Sequence, residues 1–228
     1  MKERRVGMNT DRKVLYYISS ISLAALLLSL FLPGEYSGRI TAAILLLPIS
    51  AISYLFIKKR RILSIYKNQI LIIMSVTAVL VVSVLYLVGL SFGFYKNAYA
   101  RLELVPTHVL PIAGIIILIE LYRHKICAVG DKLASVLCYV SAVAADVLIF
   151  GNVYSVTSFN KFMELMGLVL LPSVIANLLY HYITVRYGPY PNVVYRLVTS
   201  LYVYVIPVKP DVSDSLIAFA KLFIPIII

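Results

Sequence analysis

The sequence predicts an all-α protein: a polytopic integral membrane helical bundle of seven or eight hydrophobic helices with a cytoplasmic N-terminus. Three observations predict it. Apolar stretches of about twenty residues, each long enough to cross the ~30 Å hydrocarbon core of a bilayer as a helix, follow one another from Leu15 to Ile228. The 228 residues are 61% hydrophobic and only 14% charged, with a mean hydropathy of +0.94, whereas soluble domains carry about 25% charge. Lys and Arg gather in short clusters between the stretches, as they do when they orient spans.

The expected spans are residues 15–32, 40–57, 70–94, 107–122, 133–150, 162–184, 191–207 and 215–228. The first follows a basic arm, and Pro33-Gly34 stops it. Its length and the poor cleavage site Pro33-Gly34-Glu35-Tyr36 read as a permanent anchor, not a removed signal peptide. Glu35 to Arg39 form the turn into the second, which runs to the cluster Lys58-Lys59-Arg60-Arg61. The third is long enough to tilt. The loop 95–106 carries Lys96, Arg101 and Glu103, and Arg123-His124-Lys125 close the fourth span. Polar residues 152–160 separate the fifth from the sixth. Pro189 and Pro191 open the seventh, and Pro207 and Pro210 end it, because proline suits a first helical turn and cannot continue a helix. The seventh is short for a crossing, so an interfacial or re-entrant helix is its alternative. No linker divides the chain, so a single transmembrane domain is expected over 1–228.

With the N-terminus inside and every stretch crossing, fourteen Lys and Arg fall on the cytoplasmic side and five outside, leaving Arg196 and Lys221 within apolar segments. That asymmetry sets the orientation. Many of the eighteen tyrosines lie near span ends, as an interfacial belt requires. The net charge of +11 is explained by these loops, so the bilayer and not nucleic acid is the expected partner. Localisation is the cell membrane. Cys127 and Cys138 lie eleven apart without metal-ligand spacing, so neither a zinc site nor a disulfide framework is expected. No cofactor is expected.

Ionisable groups inside spans are the natural candidates for function, since a charge near the bilayer centre costs roughly 2.5–3.5 kcal/mol on insertion scales. Asp146 stands out among Ala142, Ala144 and Ala145. It reads either as a proton or cation site or as an interhelical partner for Arg, Tyr or Asn. Asn177 and His181 lie four apart, on one helix face, with Glu164 at the other end of that span. They could form a relay or simple helix–helix hydrogen bonds. Arg196 either snorkels to the surface or forms a salt bridge inside the bundle. Glu120, His108 and His124 are placed at span ends where water is reachable. Hydrolase and phosphate-loop motifs, such as H-E-x-x-H and G-x-S-x-G, do not occur.

One set of segments carries a resemblance. These are Gly93-Phe-Tyr-Lys-Asn-Ala-Tyr99, Ile117-Leu-Ile-Glu-Leu-Tyr-Arg123, Leu171-Pro-Ser-Val-Ile-Ala-Asn177, Tyr187-Gly188, Asn192-Val-Val-Tyr-Arg-Leu-Val198, Tyr204-Val-Ile-Pro207 and Pro210-Asp211. In that order they resemble the multi-span membrane region that precedes the peptidase domain in bacterial type I signal peptidases of the ER-like, Ser/His kind. The resemblance covers about residues 89–228. Its residues are Lys96, Asn97, Glu120, Pro172, Asn177, Tyr187, Gly188, Tyr195, Arg196, Pro207, Pro210 and Asp211. It implies a role in anchoring or presenting a peptidase unit for preprotein processing. The implied partners are a signal-peptidase catalytic domain, preproteins or secretion machinery.

The family's Ser-Met-x-Pro-like box is not in this sequence, and its three histidines precede the point where that domain would begin. No catalytic residue is therefore carried over. The chain is expected to be either the membrane part of a longer protein or a relative without peptidase chemistry. A small transporter or channel built on Asp146, Glu164, Asn177 and His181, and a non-catalytic assembly subunit, are the alternatives.

Overall fold

The computed structural model describes residues 2–32, 36–57, 65–151, 153 and 156–227. The expected stop at Pro33-Gly34, the cluster Lys58 to Arg61 and Asn152 lie outside the described residues. The chain folds as helices α1 (Lys2–Leu30), α2 (Ser37–Phe56), α3 (Lys67–Phe92), α4 (Leu110–Val129), α5 (Lys132–Phe150), α6 (Phe159–Leu165), α7 (Leu171–Tyr187), α8 (Tyr190–Val205) and α9 (Asp214–Ile227). Two strands, β1 (Phe94–Lys96) and β2 (Val208–Pro210), complete it.

Six helical stretches are long and apolar enough to cross a membrane: Lys13–Leu30, Ser37–Phe56, Lys67–Phe92, Leu102–Val129, Lys132–Phe150 and Phe159–Tyr187. The last two helices, with 16 and 14 residues, are shorter than that.

Two of the six contain a widened π turn ahead of a proline. Val105–Val109 precedes Pro111, and Met166–Leu170 precedes Pro172. Proline has no N–H to offer the carbonyl one turn earlier, and a π turn absorbs the missing bond without ending the helix.

The fourth span is longer than its expected bounds of 107–122. Arg123-His124-Lys125 do not close it, because Arg and Lys are good helix formers. The stop is Gly130, at φ +75°, whose N–H donates to the Cys127 carbonyl at 3.2 Å. This is the left-handed glycine that ends many helices. Asp131 then caps α5 by accepting from the Ala134 N–H at 3.1 Å. Lys125 is drawn into the bundle to close a different helix: its Nζ lies 3.4 Å from the carbonyls of Tyr54 and Ile57 at the end of α2.

The main core is formed by α1, α2, α4 and α5 around Leu26, Leu46, Ile112, Ile115, Ile116 and Ile119. Ala42, Ala142 and Ala145 are fully buried there, small enough to let helices approach closely. A second core, Met74, Ala78, Tyr180, Ile183 and Tyr195, joins α3, α7 and α8. Large apolar side chains such as Leu55, Leu80 and Leu90 point outward, the arrangement a lipid solvent allows.

At one end of the molecule, β1 and β2 pair antiparallel, with Phe94 opposite Pro210, Tyr95 opposite Lys209 and Lys96 opposite Val208. Gly93, at φ +102°, turns the chain out of α3, and its carbonyl accepts from the Asp211 N–H at 3.0 Å. The Asn97 backbone N–H donates to the Pro207 carbonyl at 2.8 Å, while its Nδ2 donates to Ile206 at 2.9 Å and also to Val203. The Tyr86 hydroxyl donates to Val208 at 2.6 Å.

This clasp ties the end of α3 to the end of α8. At the opposite end, Lys67 lies over the Tyr190 ring at 5.3 Å, so the two helices run parallel along their whole length. The clasp also needs Gly89, where a Cβ would come within 2.5 Å of the Pro210 Cβ.

Gly89→Val is therefore expected to lower unfolding free energy in detergent by about 1–3 kcal/mol, the cost of overpacking. Gly167→Ala, where an added Cβ meets nothing within 4 Å, is the control. Equal melting temperatures for the two variants would refute the close approach.

Candidate functional site

Four helices bring their ionisable side chains to one place between the two cores. On α4, Glu120 and Arg123 are three apart and share a face; both are fully buried. Asp146 comes from α5, Asn177 from α7 and Arg196 from α8, all buried as well.

Arg196 is the hub. Its Nη1 donates to Glu120 Oε1 at 2.5 Å, and its Nη2 donates to Asp146 Oδ1. Arg123 supports the same carboxylate, with Nη1 3.3 Å from Glu120 Oε1, and donates through Nη2 to Asn177 Oδ1. Asn177 passes the contact on: its Nδ2 donates to Asp146 Oδ2 at 2.5 Å and to the Ser173 carbonyl at 2.9 Å. On the other side of Glu120, Oε2 accepts from Asn192 Nδ2 at 3.2 Å and from the Thr184 hydroxyl at 3.4 Å. The Tyr180 ring lies 5.9 Å from the Arg123 guanidinium carbon and 5.3 Å from that of Arg196, within cation–π range of both.

Two carboxylates face two guanidiniums, so the formal charges balance. Mutual pairing repays the desolvation of buried charges only where the remaining lone pairs and protons are also bonded. Asn177, Asn192 and Thr184 meet that need. They do so incompletely: among the described residues of the cluster, Arg123 Nε and Asn192 Oδ1 make no hydrogen bond, and Arg123 Nη1 has only its ion-pair contact with Glu120. A cavity of about 70 Å³ adjoins the cluster, lined by Asp146, Arg196, Ser173, Ser200, Tyr180 and Tyr195 on one side and by apolar residues of α3 and α9 on the other. It has room for a few water molecules.

Of the residues expected to matter, Asp146, Asn177 and Arg196 are brought together, and Arg196 is a bundle salt bridge, not a snorkelling side chain. Glu164 is not part of the site; it is exposed on α6. His181 is half-buried and turned toward Cys127, its Nδ1 3.6 Å from Sγ.

The placement of Glu120, His108 and His124 at water-reachable span ends is corrected: they are 0%, 1% and 9% exposed. Their helix extends beyond 107–122 at both ends, and neighbours cover it. His108 packs against the rings of Tyr36 at 4.3 Å and Tyr204 at 5.7 Å.

Arg123, Asn192, Thr184 and Tyr180 were missed by sequence reasoning. The signal was present in the spacings Glu120/Arg123 and Asn192/Arg196, which place each pair on one helix face. The residues of the resemblance fall into three groups. Glu120, Asn177 and Arg196 are in the cluster, with Tyr195 and Pro172 on the cavity wall. Lys96, Asn97, Pro207, Pro210 and Asp211 are in or beside the clasp. Tyr187 and Gly188, the latter at φ +94°, form the turn between α7 and α8. Among the described residues no three His, Cys, Asp or Glu side chains gather as a metal ion would need.

Comparison with family models, with curated proteins and with solved structures finds no match.

Removing Arg196 leaves two buried carboxylates short of a partner. Arg196→Met is expected to cost about 3–5 kcal/mol, the scale for breaking a buried ion pair. Asp146→Leu combined with Arg196→Met should cost less than the two single changes summed, by about 1 kcal/mol or more. Reversible unfolding in mixed micelles measures both. Strict additivity would mean that the pair is not energetically coupled.

Proposed function

We propose that the chain is a multi-pass membrane platform that anchors or presents a signal-peptidase-type unit at the face carrying the β1–β2 clasp. One observation carries this reading. The residues chosen for the resemblance lie far apart in sequence, yet most converge on two structural devices, the clasp and the charged cluster. Convergence supports their being the frame of one unit shared with that family's membrane region.

The proposed topology has eight crossings with a cytoplasmic N-terminus. The clasp places the end of α8 beside the end of α3, which supports α8 as a crossing. Its 16 residues span about 24 Å at 1.5 Å per residue, close to a thin hydrocarbon core. The charge asymmetry still supports this orientation. With the buried Arg123, Lys125 and Arg39 set aside, twelve Lys and Arg remain inside against four outside. The clasp, with Lys96 and Lys209, then faces outward.

The transporter reading has one observation in its favour, the cavity beside Asp146 and Arg196. Both charges are already paired and the cavity is small, which supports the platform more.

Two experiments test the proposal. A cysteine at Lys96 should react with a membrane-impermeant thiol reagent in intact cells, and one at Lys132 only after permeabilisation, both on a background without Cys127 and Cys138. The reverse pattern would overturn the orientation. A photoreactive residue at Lys96 should yield an adduct with a serine peptidase identified by mass spectrometry. Depletion of the protein should slow preprotein processing in a pulse-chase. Normal processing with no peptidase adduct would overturn the platform. Substrate-coupled ion flux in liposomes would favour the transporter instead.

A further inference from the structure

A second concave feature lies away from the charged cluster, on the outer surface between α5 and α7. It is a groove of about 560 Å³, walled by Val136 and Tyr139 on α5 and by Leu178, Tyr182, Val185 and Arg186 on α7. We propose that this groove binds an anionic phospholipid, with an acyl chain lying along its apolar floor and the phosphate on Arg186. The proposal rests only on the helices being embedded in a bilayer, and not on the platform reading.

Shape and chemistry point the same way. Eight residues separate Leu178 from Arg186, so the groove follows α7 for about 12 Å at 1.5 Å per residue. Its floor is mostly apolar: the Tyr139 hydroxyl is already spent on the Val174 carbonyl at 2.7 Å, and of the two other polar side chains that line it, Ser135 and His181, the histidine is turned toward Cys127. A water-soluble ligand would gain little there, whereas an acyl chain needs no polar contact.

The polar element sits at one end. Arg186 is exposed in the last turn of α7, where a headgroup would lie if the helix spans the membrane. Its guanidinium carbon lies 4.7 Å from the centroid of the Tyr182 ring, within cation–π range. Arg in this posture suits bidentate contact with a phosphate. Among the described residues no carboxylate pairs with it. Lys132, exposed at the start of α5, adds positive charge at the same end. Positive charge in that position attracts anionic lipid, each Lys or Arg contributing roughly a fivefold preference near the surface.

The test exploits the composition, because the chain contains no tryptophan. Leu178→Trp places a single fluorophore in the groove, and Leu80→Trp places one on the exposed face of α3. The full chain is reconstituted in phosphatidylcholine vesicles containing about 20% phosphatidylglycerol, enough to give the surface anionic charge, with either lipid brominated on its acyl chains. With each quenching normalised to the mole fraction of the brominated lipid, that at Leu178→Trp should favour phosphatidylglycerol by about fivefold, and that at Leu80→Trp should show no preference. Adding Arg186→Gln should bring the Leu178→Trp ratio close to about one. Should Leu178→Trp not fold, Val136→Trp on the facing wall serves as reporter. Equal quenching by both lipids after that normalisation overturns the proposal, and so does a preference that survives Arg186→Gln or appears equally at Leu80→Trp.

Discussion

The bundle is organised around one guanidinium. Arg196 reaches from α8 to two carboxylates on two other helices, Glu120 on α4 and Asp146 on α5. A guanidinium this deeply buried, 3% exposed, depends on protein partners for its charge, so the helices that hold them must stand at fixed distances. That requirement explains features that look unrelated. Alanines flank Asp146 so that neighbouring helices come close. Asn177 and Asn192 use buried amides to complete the carboxylates. The clasp and the Lys67–Tyr190 contact hold α8 at both ends, which keeps a short helix from sliding and withdrawing Arg196 from its partners.

The fold class was legible in the sequence because apolar length is a strong and local signal. Six of the expected stretches, including those around Leu26, Ile115 and Ala142, became helices long enough to span a bilayer. Proline positions marked both ends of α8 correctly. The end of α4 was misread because Arg123-His124-Lys125 has the composition of a loop, and only the three-dimensional neighbours show what each does. Arg123 meets Glu120 and Asn177, while Lys125 caps a helix more than sixty residues earlier in the chain. Charge composition gives membrane topology only where the charges are wet, and these are not.

The site was half legible. Asp146, Asn177 and Arg196 stood out because ionisable or amide groups are expensive inside a span. Glu120 was noticed, but its surroundings were not. Glu164 and His181 carry the same chemical types and lie on the same long helix as Asn177, yet they sit outside the cluster. Nothing in residue type separates them; the separation comes from position along the helix, Glu164 lying on α6 and His181 one turn beyond Asn177, beside Cys127 of α4. The clasp had no signal of its own in the sequence, since three-residue strands leave no periodicity.

The order in which the chain is made gives the Arg196 hub a further meaning. Synthesis runs from the N-terminus, so Glu120 and Asp146 are threaded into the membrane while their cation is still unmade, some fifty residues behind Asp146. Until α8 emerges, Arg123 is the sole strong cation beside them within the described residues of the cluster. A chain made only as far as α7 therefore holds two carboxylates of the cluster against one guanidinium, and only α8 brings the second. Every product truncated before Arg196 is left in that unbalanced state.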